Sequence, residues 1–129
     1  MSAPTPEEAE RRALEILGLA RRAGRVELGT RAVQEAGAEG RLRCVLLAED
    51  AGGSARGRLS RALRDGEVTL LRVSSRRRLG AALGREDLVT AGVTDEGFAR
   101  LVAGLLPEEA EADAADGPGP GPDGPGRED

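Results

Sequence analysis

With 129 residues the chain has length for one domain, and its 19 Gly, 7 Pro and single Phe, with no Tyr or Trp, leave material for only a small, aromatic-poor core. It has no His and one Cys, which excludes histidine-dependent catalysis, a zinc cluster, a Ser-His or Cys-His dyad and an intrachain disulfide. Every one of its 19 basic residues is arginine, and the net charge of −4 hides a segregation in which residues 11–106 carry 18 Arg against 12 acids, while residues 1–10 carry three acids and residues 107–129 eight acids against Arg127.

A basic segment between acidic ends points toward a polyanionic partner such as nucleic acid, with the acidic tail able to compete for the same surface. Arginine that merely solubilises the surface of a lysine-free chain would give the same pattern. No stretch approaches the roughly 18 apolar residues of a membrane span, and MSAPTPEEAE lacks the basic and apolar regions of a signal peptide, so a cytoplasmic protein is expected.

The elements read in order as follows. Thr5-Pro6-Glu7-Glu8 starts a helix, with Thr5 as cap, Pro6 in the first position and Glu8 closing a capping box. Ala9, Ala13, Ile16, Leu17 and Ala20 repeat at helical spacing, and Gly24 is the stop. Val26-Glu27-Leu28 is a marginal strand. Gly29-Thr30 then opens a second helix, with Ala32, Val33 and Ala36 inward, which closes at Gly40. Cys44 to Ala48 is a wholly apolar strand ending in Glu49-Asp50, and Cys44 is read as a small core residue, with a reactive thiol as the alternative. Gly52-Gly53-Ser54 forms a turn and cap for a helix with Ala55, Leu59, Ala62 and Leu63 inward and Arg56, Arg58, Arg61 and Arg64 outward, ended by Asp65-Gly66.

Val68 to Val73 is the next strand. Ser74-Ser75 leads to a helix with Leu79, Ala82 and Leu83 inside, and Leu88 to Val93 is the last strand. Thr94-Asp95-Glu96 caps a helix with Phe98, Leu101, Val102 and Leu105 on one stripe, stopped by Pro107. The alternation argues a largely parallel sheet covered by helices on both faces. From Pro107 onward there is no Val, Ile, Leu or Phe, so disorder is expected. The domain plan is an acidic lead-in at 1–10, an α/β domain at 11–106 and an acidic tail at 107–129.

Three features could carry chemistry. At Gly29-Thr30-Arg31, glycine permits close backbone approach, the threonine hydroxyl can cap, and Val33 stands where a capping box needs Glu or Gln, so the helix terminus stays open to anions. A plain turn and cap reads the same way. Arg76-Arg77-Arg78 puts three cations in the first turn of a helix, where the macrodipole disfavours each by roughly 0.3–1 kcal/mol, a penalty that a bound phosphate would remove. An exposed helix can also bear it. Glu49-Asp50 lies at a strand's carboxyl end, where α/β sheets place ligand groups. Paired carboxylates can do acid–base work or hold magnesium, although no nucleophile or P-loop accompanies them.

Together these stretches resemble the L-seven-Ae ribosomal-protein family of kink-turn RNA binders, most closely its bacterial YlxQ-like branch, from about Leu14 to Leu106. The resemblance is carried by Ile16-Leu17-Gly18-Leu19-Ala20-Arg21-Arg22-Ala23-Gly24, by Gly29-Thr30 with Gly40 eleven residues after Gly29, and by Val45-Leu46-Leu47-Ala48-Glu49-Asp50. It continues through Leu79-Gly80-Ala81-Ala82-Leu83-Gly84 and Val93-Thr94-Asp95. It implies a three-layer α/β/α sandwich with a four-stranded mixed sheet, no catalysis, no cofactor or metal, and binding of bent RNA by a monomer associated with the ribosome or its assembly. Ribosomal or translation-factor proteins would be further partners.

In the family pattern Gly-Thr-Asn-Glu-x-x-Lys, the Gly-Thr backbone meets phosphate and the Asn, Glu and Lys side chains read guanines. Gly29 and Thr30 match; Arg31, Ala32 and Glu35 stand for Asn, Glu and Lys. Arg31 can still bond a guanine edge, Ala32 cannot, and Glu35 repels phosphate or pairs with Arg31 one turn away. The loop before the last strand, apolar in strong kink-turn binders, is Arg85-Glu86-Asp87. The RNA-binding set expected on the resemblance is Gly29, Thr30, Arg31, Gln34, Arg78 and Arg85. The alternative functions are a protein-interaction module of the same fold and, more remotely, a small enzyme or nucleotide binder using Glu49-Asp50.

Overall fold

The computed structural model describes residues 3–63 and 68–108. The first helix, α1 (Pro6–Arg22), begins as its local sequence dictates: Thr5 Oγ1 accepts the Glu8 N–H and the Glu8 carboxylate accepts the Thr5 N–H, both at 3.1 Å, with Pro6 at the first position. There follow β1 (Val26–Leu28), α2 (Thr30–Ala38), β2 (Cys44–Ala48), α3 (Gly53–Ala62), β3 (Thr69–Val73), α4 (Arg76–Ala82), β4 (Thr90–Val93) and α5 (Glu96–Ala103), the alternation read from the sequence.

The strands form one sheet in the order β1-β4-β2-β3. β2 and β3 pair parallel, but β4 lies antiparallel to both β1 and β2. The sheet is therefore mixed, as the family resemblance implied, and the largely parallel sheet inferred from alternation alone is corrected. The cause is α4. Its seven residues are only about 10 Å long, and the chain doubles back beside it, with the Arg85 N–H donating to Gly80 O at 2.8 Å and the Leu88 N–H to Arg76 O at 3.1 Å. β4 thus starts at the sheet end where β3 finishes.

Helices cover both faces. Ala13 and Leu17 of α1, Leu79 of α4, and Ala99 and Val102 of α5 pack with Cys44, Leu46, Leu71 and Val73 on one side. Val33 and Ala36 of α2 and Leu59 of α3 pack with Val45 and Leu47 on the other. β2 is buried on both faces, which is why its five residues read as a continuous apolar run rather than an alternation. Cys44 is the core residue expected, and burial pushes its thiol up to about 12.

Several boundaries move. β3 begins at Thr69 and β4 at Thr90, and α3 takes Gly53 and Ser54 into its first turn instead of using them as a cap. α5 ends at Ala103 with Gly104 as its cap, four residues short of Pro107. The stripe of α5 is centred on Val102, with Ala99 and Leu106 buried; consecutive helix positions are about 100° apart, which leaves Leu101 56% exposed instead of inside. Residues 107 and 108, where disorder was expected to begin, run along the outer edge of β3: the Arg72 N–H donates to Pro107 O at 2.8 Å, and Leu71 bridges Glu108 antiparallel. The outward placement expected of Arg64, the stop at Asp65-Gly66 and the tail from 109 onward lie outside the described residues, as do the side chains of Ala55, Arg58, Arg61 and Ala62, expected inward for the alanines and outward for the arginines. Among the described residues no helix is long and apolar enough to cross a membrane.

Candidate functional site

β1, β2 and β3 finish, and β4 begins, at the same end of the sheet. That end gathers Gly29-Thr30, Glu49-Asp50, Ser74-Ser75 and the loop of residues 84–88, all four separated in sequence. Gly29 is tied to it directly, its N–H donating to Thr90 O at 3.0 Å.

The cap of α2 is Gly29 itself, at φ 94 and ψ 158, a backbone region open in practice only to glycine. Thr30 is the first helical residue, and its hydroxyl does not cap. A capping side chain must come from the residue before the helix, and here that residue has none. The first intrahelical bond runs from the Val33 N–H to Gly29 O at 3.0 Å, so the N–H groups of Thr30, Arg31 and Ala32 precede it. No acid stands in this first turn. α1, α4 and α5, by contrast, are capped by Thr5, Ser75 and Asp95. The α2 terminus keeps its roughly +0.5 charge unanswered. Arg31 projects beside it, 91% exposed, with Nε 3.4 Å from the Glu35 carboxylate one turn on. Gln34 lies half-buried on the same helix.

The cluster Arg76-Arg77-Arg78 resolves differently. Ser75 Oγ accepts the Arg78 N–H at 3.1 Å and Asp50 Oδ1 accepts the Arg76 N–H at 2.9 Å, so a carboxylate of the chain already occupies the α4 terminus. The Arg76 guanidinium makes a two-pronged pair with Asp87, at 2.6 and 2.9 Å, and holds that carboxyl below its ordinary value. Arg78 turns toward α1, its Nε 3.4 Å from Glu10, and Glu10 also accepts the Ser74 hydroxyl at 2.7 Å. Arg77 is exposed and has no partner among the described residues.

Glu49 and Asp50 are likewise engaged structurally. Asp50 caps α4, the Glu49 carboxylate lies 4.0 Å from Arg72 Nη1, and Arg56 donates to Glu49 O at 2.9 Å at the surface. Among the described residues no group of acids or Cys is arranged to hold a metal ion.

The loop of residues 84–88 has a seat that sequence reasoning missed. A Cβ on Gly80 would lie 2.8 Å from Asp87 N and 2.9 Å from Arg85 O, both backbone atoms, so only glycine lets the loop close onto α4. The available signal was the presence of glycine inside a helix, where it costs about 1 kcal/mol relative to alanine. Arg85 stands exposed on this loop, its side chain without a partner among the described residues, beside a cleft of about 650 Å³ that Arg77 and Glu86 also line. Of the expected residues, Gly29, Thr30, Arg31, Gln34 and Arg85 belong to elements that meet at this end of the sheet, while Arg78 is held against α1.

A sequence model described as the ribosomal protein L7Ae/L30e/S12e/Gadd45 family matches residues 11–103. The chain is 36% identical over 91 residues to a curated protein of Bacillus subtilis (strain 168), RNA-binding protein YlxQ, covering 70% of this chain and 91% of that one. Among solved structures, a protein of unknown function from Bacillus halodurans C superposes with a TM-score of 0.69 at 34% identity, over 72% of this chain and 94% of that one. The Giardia lamblia 15.5kD RNA binding protein superposes with a TM-score of 0.66 at 18% identity, over 87% and 92%, and so shares the fold.

Proposed function

The chain belongs to the ribosomal protein L7Ae/L30e/S12e/Gadd45 family, and from that membership we propose that it is a non-catalytic, cytoplasmic RNA-binding protein of the ribosome or its assembly. In this reading its ligand is bent, kink-turn-like RNA. Phosphate meets the N–H groups at the α2 terminus, with Gly29 giving the close approach, Arg31 and Gln34 reaching toward exposed bases, and Arg85 supplying charge from the neighbouring loop. Arg78 stays with Glu10.

The observation that carries the reading is the α2 terminus, left without a capping side chain or acid while α1, α4 and α5 are capped by side chains. An A-form groove offers little to read, so such a surface recognises shape and backbone at a bend. Ala32 and Glu35, where the family pattern has Glu and Lys, make that recognition depend on the backbone more than on bases.

The test is binding of a kink-turn RNA and an unkinked duplex over a salt series. Neutralising four or five phosphates gives a slope of log K against log salt of roughly −3 to −4 for the kinked RNA, with weaker binding to the duplex. Equal weak binding to both would refute kink recognition. The pairing of Arg31 with Glu35 at 3.4 Å favours one second reading, a protein-interaction module that has lost RNA specificity. Pull-downs with and without ribonuclease separate the two, because only protein partners survive the nuclease.

A further inference from the structure

α1 carries two faces. Ala13, Leu17 and Ala20 enter the core, and a second row at helical spacing, Leu14, Gly18 and Leu19, lines a groove of about 600 Å³ against Ala81 and Ala82 of α4. Leu19 is 51% exposed in it, a large apolar side chain left to water. The two helices meet at Gly18, where an added Cβ would come into ordinary contact with Ala82 O at 3.4 Å. The same row begins with Arg11 and ends with Arg22, eleven residues apart and therefore about 16 Å, or three turns, along the axis. Neither arginine has a partner among the described residues, and a single acid, Glu15, stands between them on the rim.

We propose that the α1–α4 groove docks an acidic amphipathic helix of about three turns from another protein, its aliphatic residues on Leu14, Leu19 and Ala82 and its end carboxylates on Arg11 and Arg22. The apolar floor and the unpaired cations at both ends fit the two faces of such a helix, in the helix-in-groove mode. RNA fits less well. The floor is aliphatic and offers a base no aromatic face, since the chain's one aromatic residue, Phe98, packs against the core from α5. The chain's own tail carries the acids but no Val, Ile, Leu or Phe to fill the floor.

The experiment replaces Glu15 by a benzophenone amino acid in the full chain, irradiates cells, and maps the attached segment by mass spectrometry. The expected product is a protein segment with aliphatic residues at i, i+3 or i+4, and i+7 and acids at both ends, formed equally after ribonuclease. A synthetic peptide of that segment then binds the purified full chain. Leu19→Glu, and independently the surface variant Arg11→Glu/Arg22→Glu, lower its affinity by at least about tenfold, the loss expected of a central anchor. Leu19→Glu leaves RNA binding unchanged, which keeps this test separate from the function proposed above. Attachment to RNA, to residues 109–129 or to a second copy, no attachment at all, or peptide affinity unmoved by both variants would overturn the proposal.

Discussion

Gly80→Ala and Gly18→Ala make the same chemical change inside two helices, and the structure gives them opposite signs. Replacing a helix-interior glycine by alanine gains about 1 kcal/mol of helix propensity. At Gly18 the new Cβ meets only Ala82 O, at 3.4 Å, so most of that gain should appear as added stability. At Gly80 it would lie 2.8 Å from Asp87 N, 2.9 Å from Arg85 O and 3.0 Å from Asp87 Cα. These separations are about half an ångström or more short of an ordinary contact, and backbone cannot rotate away as a side chain can.

Overpacking of this kind costs roughly 1–3 kcal/mol. The loop's bonds from Arg85 to Gly80 O and from Leu88 to Arg76 O, worth about 1 kcal/mol each, are also put at risk. The net for Gly80→Ala is destabilisation of roughly 1–3 kcal/mol, a fall in Tm of about 4–8 °C per kcal/mol for a domain of this size. Thermal and urea unfolding followed by far-UV circular dichroism measures it, because a chain without Trp or Tyr offers no useful fluorescence. If Gly80→Ala were as stable as Gly18→Ala, the loop would not be seated on Gly80 and the reasoning would fail.

Gly29→Ala should lower stability by about 1–3 kcal/mol through backbone strain alone, since nothing lies within 4 Å of its Cβ position. Gly29→Asn should not recover it, because the left-handed region that Asn tolerates lies near ψ +47° rather than 158; urea midpoints of both variants check this. Arg85→Ala should weaken RNA binding across sequences and reduce the steepness of the salt dependence by roughly 0.9, read from titrations at four or more salt concentrations. Arg76 holds the Asp87 carboxyl low, so the stability from this pair is present above the unfolded pKa of about 3.9 and is lost as pH falls through the lower folded value. Carboxyl NMR titration should place Asp87 below an ordinary aspartate, and Asp87→Asn should remove that part of the acid transition. With its thiol pushed up to about 12, Cys44 should resist iodoacetamide in the folded protein at pH 8 and react once urea unfolds it, as mass spectrometry of the quenched samples will report.

What could be read from the sequence is what depends on residues within about four positions of one another. The Thr5-Pro6-x-Glu8 start, the Asp95 cap accepting the Phe98 N–H and the apolar run of β2 are local facts, and all appear where they were read. The open α2 terminus was legible for the same reason, although its N-cap proved to be Gly29, which has no side chain to cap with, and not Thr30. The arginine cluster after Ser75 misled because its partners are distant. Asp50 reaches Arg76 across 26 positions, Asp87 across 11, and Glu10 reaches Ser74 across 64. Three cations at a helix start suggest a missing anion only while the carboxylates that answer two of them are out of sight.

The antiparallel placement of β4 is what makes the candidate site. Had α4 been long enough to carry the chain back along the sheet, β4 would have run parallel, and the loop before it would have entered at the far end from Gly29. Because α4 has only seven residues and the loop folds down onto Gly80, Arg85 is delivered to the end of the sheet where β1 hands over to α2. The Gly29 N–H then bonds Thr90 O, the first residue of β4, joining the two pieces. A glycine that looks like a weak point in a helix therefore seats the loop that turns the chain into an antiparallel β4 and sets which arginine stands near the open terminus. The site and the topology have one cause, so a substitution that lifts the loop from Gly80 should disturb RNA binding even though residue 80 is itself buried.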